Sequence, residues 1–255
     1  MTGFSRHWGQ GAEQALLLHC SMAHSGAWDG VAHALSDRLH LVAPDLVGHG
    51  RGPAWDRAQD FHDQTTEAAC GHLPKAPCHL IGHSFGATVA LRLALEHPDR
   101  VTSLTLIEPV LFAAAQGQPG WRAHEAAMAP LPGLIDAGRF EDATRLFLSL
   151  WGGTVPFDTM PDAARRALIA QIWVVTASAP ALHQDRAGLL PGLSRIGCRV
   201  LLIDGANSPP VIAEIQAALA AAMPRTRRCI IPGAGHMAPI THPHAVAAEM
   251  RRALV

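Results

Sequence analysis

The sequence predicts an α/β protein: a mostly parallel, doubly wound sheet interrupted by a helical insertion. Three observations carry this. Short apolar runs bounded by turn residues recur at Ala15–His19 (ALLLH), Leu39–Pro44 (LHLVAP), Cys78–Ile81 (CHLI), Ser103–Ile107 (SLTLI), Arg199–Asp204 (RVLLID) and Arg228–Ile231 (RCII). Runs of this length read as strands buried on both faces. Helical stretches lie between them, at Ala27–Ser36, Phe85–Glu96, Pro210–Ala222 and Pro243–Leu254, and such alternation is the mark of a parallel sheet with crossover helices. One segment, residues 110–190, shows no strand and carries helix-like runs such as Arg139–Trp151 and Pro161–Thr176. The expected organisation is therefore one core domain from 1–109 and 191–255, with 110–190 as a helical cap.

Composition narrows the function. At 255 residues and 49 % apolar content the chain can bury a large single core. A net charge of −1 offers no electrostatic footprint for nucleic acid or an anionic membrane, and no apolar run is long enough to span a bilayer. The N-terminal MTGFSRHWGQG lacks an apolar signal core. Five cysteines with irregular spacing and no CxxC argue against a disulfide framework or zinc site and fit a reducing cytoplasm. Of the sixteen histidines, His242 and His244 form the closest pair, but HxH alone is a weak metal signal, and no metal or cofactor is expected. Trp121, Trp151 and Trp173 fall in the cap, either packing it onto the body or walling an apolar pocket.

The chemistry starts at Gly82-His83-Ser84-Phe85-Gly86. A serine between glycines, after a strand and before a helix, suits a sharp turn that lifts the hydroxyl clear of the sheet, where bulkier neighbours would clash. The helix N-terminus then offers unpaired N–H groups to a developing anion. A plain helix cap would not call for glycine on both sides.

These residues resemble the α/β-hydrolases, and the likeness runs through most of the chain. LLLHCSMAHSGAW (Leu16–Trp28) is similar to the family's HG-containing loop, with Cys20 in place of glycine. APDLVGHGRG (Ala43–Gly52) is similar to its PDxxGHGxS segment, GHSFG to its nucleophile elbow, and PGAGHMAPITHP (Pro232–Pro243) to its histidine loop. The resemblance implies a serine hydrolase with Ser84 as nucleophile, His236 as general base, and an oxyanion hole made of the backbone N–H of Phe85 and of Ser21, with Met22 as the alternative. Cys20 reads as a small buried filler and His19 as a loop-stabilising hydrogen bonder.

The family's usual acid position holds Ser208, which cannot offset an imidazolium charge. Glu108, directly after the apolar run Leu104–Ile107, is the replacement candidate, because some members carry the acid after that strand and because a buried carboxylate needs a partner. The competing reading is that Glu108 is an ordinary loop carboxylate, and Asp204 is the other candidate for the acid.

A serine at the elbow sets the chain apart from the haloalkane dehalogenases and epoxide hydrolases of this fold, which use Asp; the chain also has no tyrosine, and its sole lysine, Lys75, precedes the elbow strand. The expected reaction is hydrolysis of a small or medium hydrophobic ester, thioester or lactone through an acyl-enzyme, by a monomer or weak homodimer. A carbon–carbon hydrolase and a weakly catalytic sensor are the alternatives.

Overall fold

The computed structural model describes residues 3–253 except residue 154. Among them seven strands form one sheet: β1 (Ser5–Trp8), β2 (Glu13–Leu18), β3 (Leu39–Pro44), β4 (Cys78–His83), β5 (Val101–Ile107), β6 (Arg199–Gly205) and β7 (Thr226–Ile231), in the spatial order β1-β3-β2-β4-β5-β6-β7. Only β1 runs antiparallel to its neighbour.

Each parallel strand is covered on both faces, which is why its sequence reads as an unbroken apolar run. Successive side chains of a strand point to opposite faces. Along β2, Leu16 and Leu18 join one apolar layer, with α2 (Phe61–Cys70), α3 (Phe85–Glu96) and α9 (Pro210–Ala222), while Ala15 and Leu17 join the other, with α1 (Asp29–Leu35) and α11 (Pro243–Ala253). The last residue of the expected helix Pro243–Leu254 lies outside the described residues.

Between β5 and β6 the described chain forms helices only: α4 (Pro119–Met128), α5 (Leu131–Asp136), α6 (Phe140–Trp151), α7 (Asp162–Gln171) and α8 (Trp173–Gln184). Glu214 of α9 accepts the N–H groups of Gly120 and Trp121 at 2.7 and 2.8 Å, satisfying two orphan donors at the start of α4 and anchoring it to the body. Trp151, Val174 and Leu182 continue the main apolar layer into these helices. The short α10 (Ala238–Thr241) follows the last strand.

Three elements depart from the sequence reading. β1 was not anticipated: SRHW is short, polar and on an edge. Nor was α2, whose FHDQTTEAAC carries few apolar residues. It is stabilised instead by Asp60, which accepts the N–H groups of His62 and Asp63, and by Thr65 and Thr66, whose hydroxyls donate to carbonyls one turn back. The run Pro161–Thr176 is two helices, α7 and α8, parted at Ile172 by a tightened i→i−3 turn.

Candidate active site

The elbow has the geometry its residues call for. Ser84 ends β4 and precedes α3 with φ 56° and ψ −120°, a conformation non-glycine residues adopt only under constraint, and its side chain caps nothing. Both flanking glycines are needed for close approach. A Cβ on Gly82 would come within 2.4 Å of Ala87 Cα, and one on Gly86 within 2.3 Å of the Leu18 carbonyl oxygen.

Instead of capping, Ser84 Oγ lies 3.0 Å from His236 Nε2, across 152 residues of sequence. His236 Nδ1 lies 2.7 Å from Glu108 Oε2. An Nδ1–H donated to the carboxylate leaves Nε2 free to accept the serine hydroxyl, so the tautomer follows from the partner. Glu108 is fully buried at the end of β5, at φ 48°. Its other oxygen accepts the Gly205 N–H at 2.6 Å and the hydroxyl of Ser208. Burial alone would raise the pKa of this carboxyl. The bonds from His236, Ser208 and Gly205 outweigh it, and the net direction is down. Ser208, at the position where the sequence lacks the expected acid, thus holds the Glu108 carboxylate beside His236. Asp204 faces elsewhere, paired with Arg228 at 2.5 Å.

The sequence reading overlooked His83. Its Nε2–H donates to the His236 carbonyl at 2.8 Å, tying the histidine loop to the residue beside the serine. Burial, reinforced by nearby His236, lowers its pKa to about 3, so it stays neutral. The only sequence signal was its place inside the elbow.

The loop after β2 is pinned by two further neutral histidines. His19 donates from Nδ1 to the Cys20 carbonyl and accepts the Leu46 N–H; His49 donates to the Val47 carbonyl and accepts the Met22 N–H at 3.0 Å. Burial lowers their pKa values to about 3 and about 4. The Met22 amide is therefore occupied, whereas Ser21, the other residue expected to supply an N–H, shares a cavity with Ser84 and His236. Phe85 opens α3, where first-turn N–H groups have no helical partner. Cys20 is buried and its thiol pushed up to about 12 by desolvation, as an inert filler would be.

That cavity, of about 340 Å³, runs from Ser84 under α4, α5, α6 and α8. Of the three tryptophans expected as pocket wall only Trp151 lines it, its ring edge-on 4.7 Å from the ring of His236. Trp121 packs against the main apolar layer. Trp173 stacks on Trp55 at 5.2 Å and faces a separate groove on the other side of α8. Helix phase, which composition does not reveal, turned both away.

Comparison with known proteins fits this geometry. The alpha/beta hydrolase family profile matches residues 15–249. A pimeloyl-(acyl-carrier protein) methyl ester esterase of Nitrosomonas europaea is 29 % identical over 87 % of this chain and 87 % of its own. The lipase LipV of Mycobacterium tuberculosis is 29 % identical over 98 % of this chain and 96 % of its own. Among solved structures, an enol-lactonase from Burkholderia xenovorans superposes with a TM-score of 0.79 at 19 % identity, covering 99 % and 96 % of the two chains, which speaks for the fold. The chain belongs to the alpha/beta hydrolase family of enzymes.

Proposed function

We propose that the chain is a serine hydrolase of small or medium hydrophobic carboxylic esters, with Ser84, His236 and Glu108 as its triad. The alignment of these three side chains at the mouth of an apolar cavity carries the reading. His236 Nε2 takes the proton as Ser84 Oγ attacks the carbonyl, and Glu108 stabilises the imidazolium that results. The N–H groups of Phe85 and Ser21 receive the oxyanion, aided by the positive end of α3. His236 then returns its proton to the departing alkoxide, and water repeats the sequence on the acyl-enzyme. Residues 110–190 act as a cap over the body formed by 1–109 and 191–255, and Trp151 walls the acyl site beside the general base. The relatives named as esterases of a methyl ester and as a lipase support an apolar acyl group. No arginine or asparagine lines the cavity among the described residues, so the site offers little to the carboxylates of a vinylogous diketone. The five cysteines are free, in keeping with a reducing cytoplasm. No described helix is long and apolar enough to cross a membrane.

Hydrolysis of p-nitrophenyl esters from acetate to decanoate, by the native chain and by Ser84→Ala, tests this. Turnover is expected to fall by about 10⁴-fold or more in the variant, with an optimum chain length set by the cavity. Equal rates for the two proteins would overturn the serine mechanism. No turnover of any ester by the native chain would favour carbon–carbon cleavage or a sensor role.

A further inference from the structure

Beyond Trp151, whose ring centroid lies 4.7 Å from that of His236 and 5.3 Å from that of His124, the cavity holds a polar cluster that the proposed ester mechanism does not use. His124 of α4 is buried, 6 % exposed, and its ring makes no hydrogen bond; its Nδ1 has neither protein partner nor access to water. The neighbouring Glu125 also holds an oxygen, Oε1, that is shut off from water. His183, on α8, brings its Nδ1 to 3.0 Å from that oxygen as a charge contact. Donor atoms of all three residues lie within 4.8 Å of one another. A buried imidazole nitrogen without a partner is costly, and here such a nitrogen sits beside a second nitrogen and a carboxylate. Lone pairs brought together from α4 and α8 would be satisfied together by a cation.

The surroundings favour ligation over mutual hydrogen bonding. Phe112 packs against both imidazoles, with centroids 4.2 Å from His124 and 4.5 Å from His183, so one phenyl ring holds both in place. The two rings are nearly parallel, at 18°, with centroids 6.0 Å apart. All three residues line the cavity, so a fourth coordination position would open into it. Two borderline nitrogens and one carboxylate suit a zinc-like transition metal rather than magnesium or calcium, which prefer all-oxygen sites. The pair His242 and His244, closest in sequence, is not part of any comparable cluster among the described residues.

We infer that His124, Glu125 and His183 form a binding site for one divalent transition-metal ion of the zinc type, at the cap end of the cavity. The site stands whether or not the chain hydrolyses esters, because it rests on other side chains.

The test is titration of chelator-treated protein with Co²⁺, read by visible d–d absorption and by the metal-to-protein ratio. One ion per chain is expected, with the intense absorption of a low-coordinate site. Affinity should fall by about tenfold or more in His124→Gln and in His183→Gln, and should hold in His244→Gln. Should the buried His124→Gln fail to fold, His183→Gln, at a partly exposed position, still decides. Absence of Co²⁺ binding, or binding that survives both substitutions, overturns the site. Absence of binding together with a raised KM for hydroxyl-bearing esters in His183→Gln would assign the cluster to substrate instead.

Discussion

Among the described residues, two serine–histidine–glutamate alignments lie at opposite ends of the strands. At the C-terminal ends of the strands stand Ser84, His236 and Glu108. At the opposite ends, Ser103 of β5 lies 2.8 Å from His79 Nδ1, and His79 Nε2 lies 3.3 Å from Glu13. Distances alone barely separate the two. Their settings do. Ser84 stands at a strained turn before a helix N-terminus, beside an apolar cavity, and the glutamate aligned with it is fully buried and held by three donors. Ser103 is an ordinary position inside a strand, no helix begins there, and the Glu13 side chain is 64 % exposed. A carboxylate in water holds its histidine weakly, and a serine within a ladder has no donors to receive an oxyanion. Open α/β sheets bind ligands at the carboxyl ends of their strands, and the difference between these two alignments shows why three residues in a row do not make a site.

Substitution can break that contrast. Glu108→Gln should reduce kcat on p-nitrophenyl esters by about 10³- to 10⁴-fold, since a neutral amide cannot offset the imidazolium, while Glu13→Gln should leave kcat within about twofold. Comparable losses in both would mean that the second alignment takes part. Ser208→Ala should cost about tenfold in kcat, the scale of one hydrogen bond to a charged group, with KM little changed; an unaltered kcat would show that the Gly205 N–H and His236 suffice to aim Glu108. Ser103→Ala and Asp204→Asn should each stay within about twofold in kcat, and a large loss in the latter would move the acid onto β6.

The smallest effect concerns stability. His19, His49 and His83 are held neutral in the fold, at about 3, about 4 and about 3, whereas the unfolded chain takes up protons near pH 6.5. Depressed values of this kind stabilise the fold fully above about pH 6.5 and lose that stabilisation as pH falls toward 4, because the unfolded chain then binds more protons. A Tm several degrees lower at pH 5 than at pH 7.5 is expected by thermal melts; an unchanged Tm would mean that these rings accept protons without disrupting the loops.

The parts legible in the sequence are those whose chemistry is local. The elbow declared itself because a strained serine needs glycine on both sides, and the strands because burial on two faces leaves an unbroken apolar run. Glu108 was legible by contradiction, as a carboxylate at the end of the strand-like run Leu104–Ile107 in a chain whose expected acid position holds a serine. What the sequence hid depends on three-dimensional phase. α2 satisfies its polar residues through its own backbone, so hydropathy does not mark it. Trp121 and Trp173 differ from Trp151 only in the direction their helices face. His124 and His183 sit on different helices, and only folding brings them to the same Phe112.

The bond from His83 to the His236 carbonyl has a mechanical consequence. His83, which adjoins Ser84, also grips the backbone of His236, so in the proposed mechanism the two halves of the reacting pair are fastened to one bracket. Heating should then end activity by melting the fold rather than by parting the pair. An activity–temperature curve that follows the melting curve would show this bracket at work, and its removal in His83→Ala should make activity fail several degrees before the fold does.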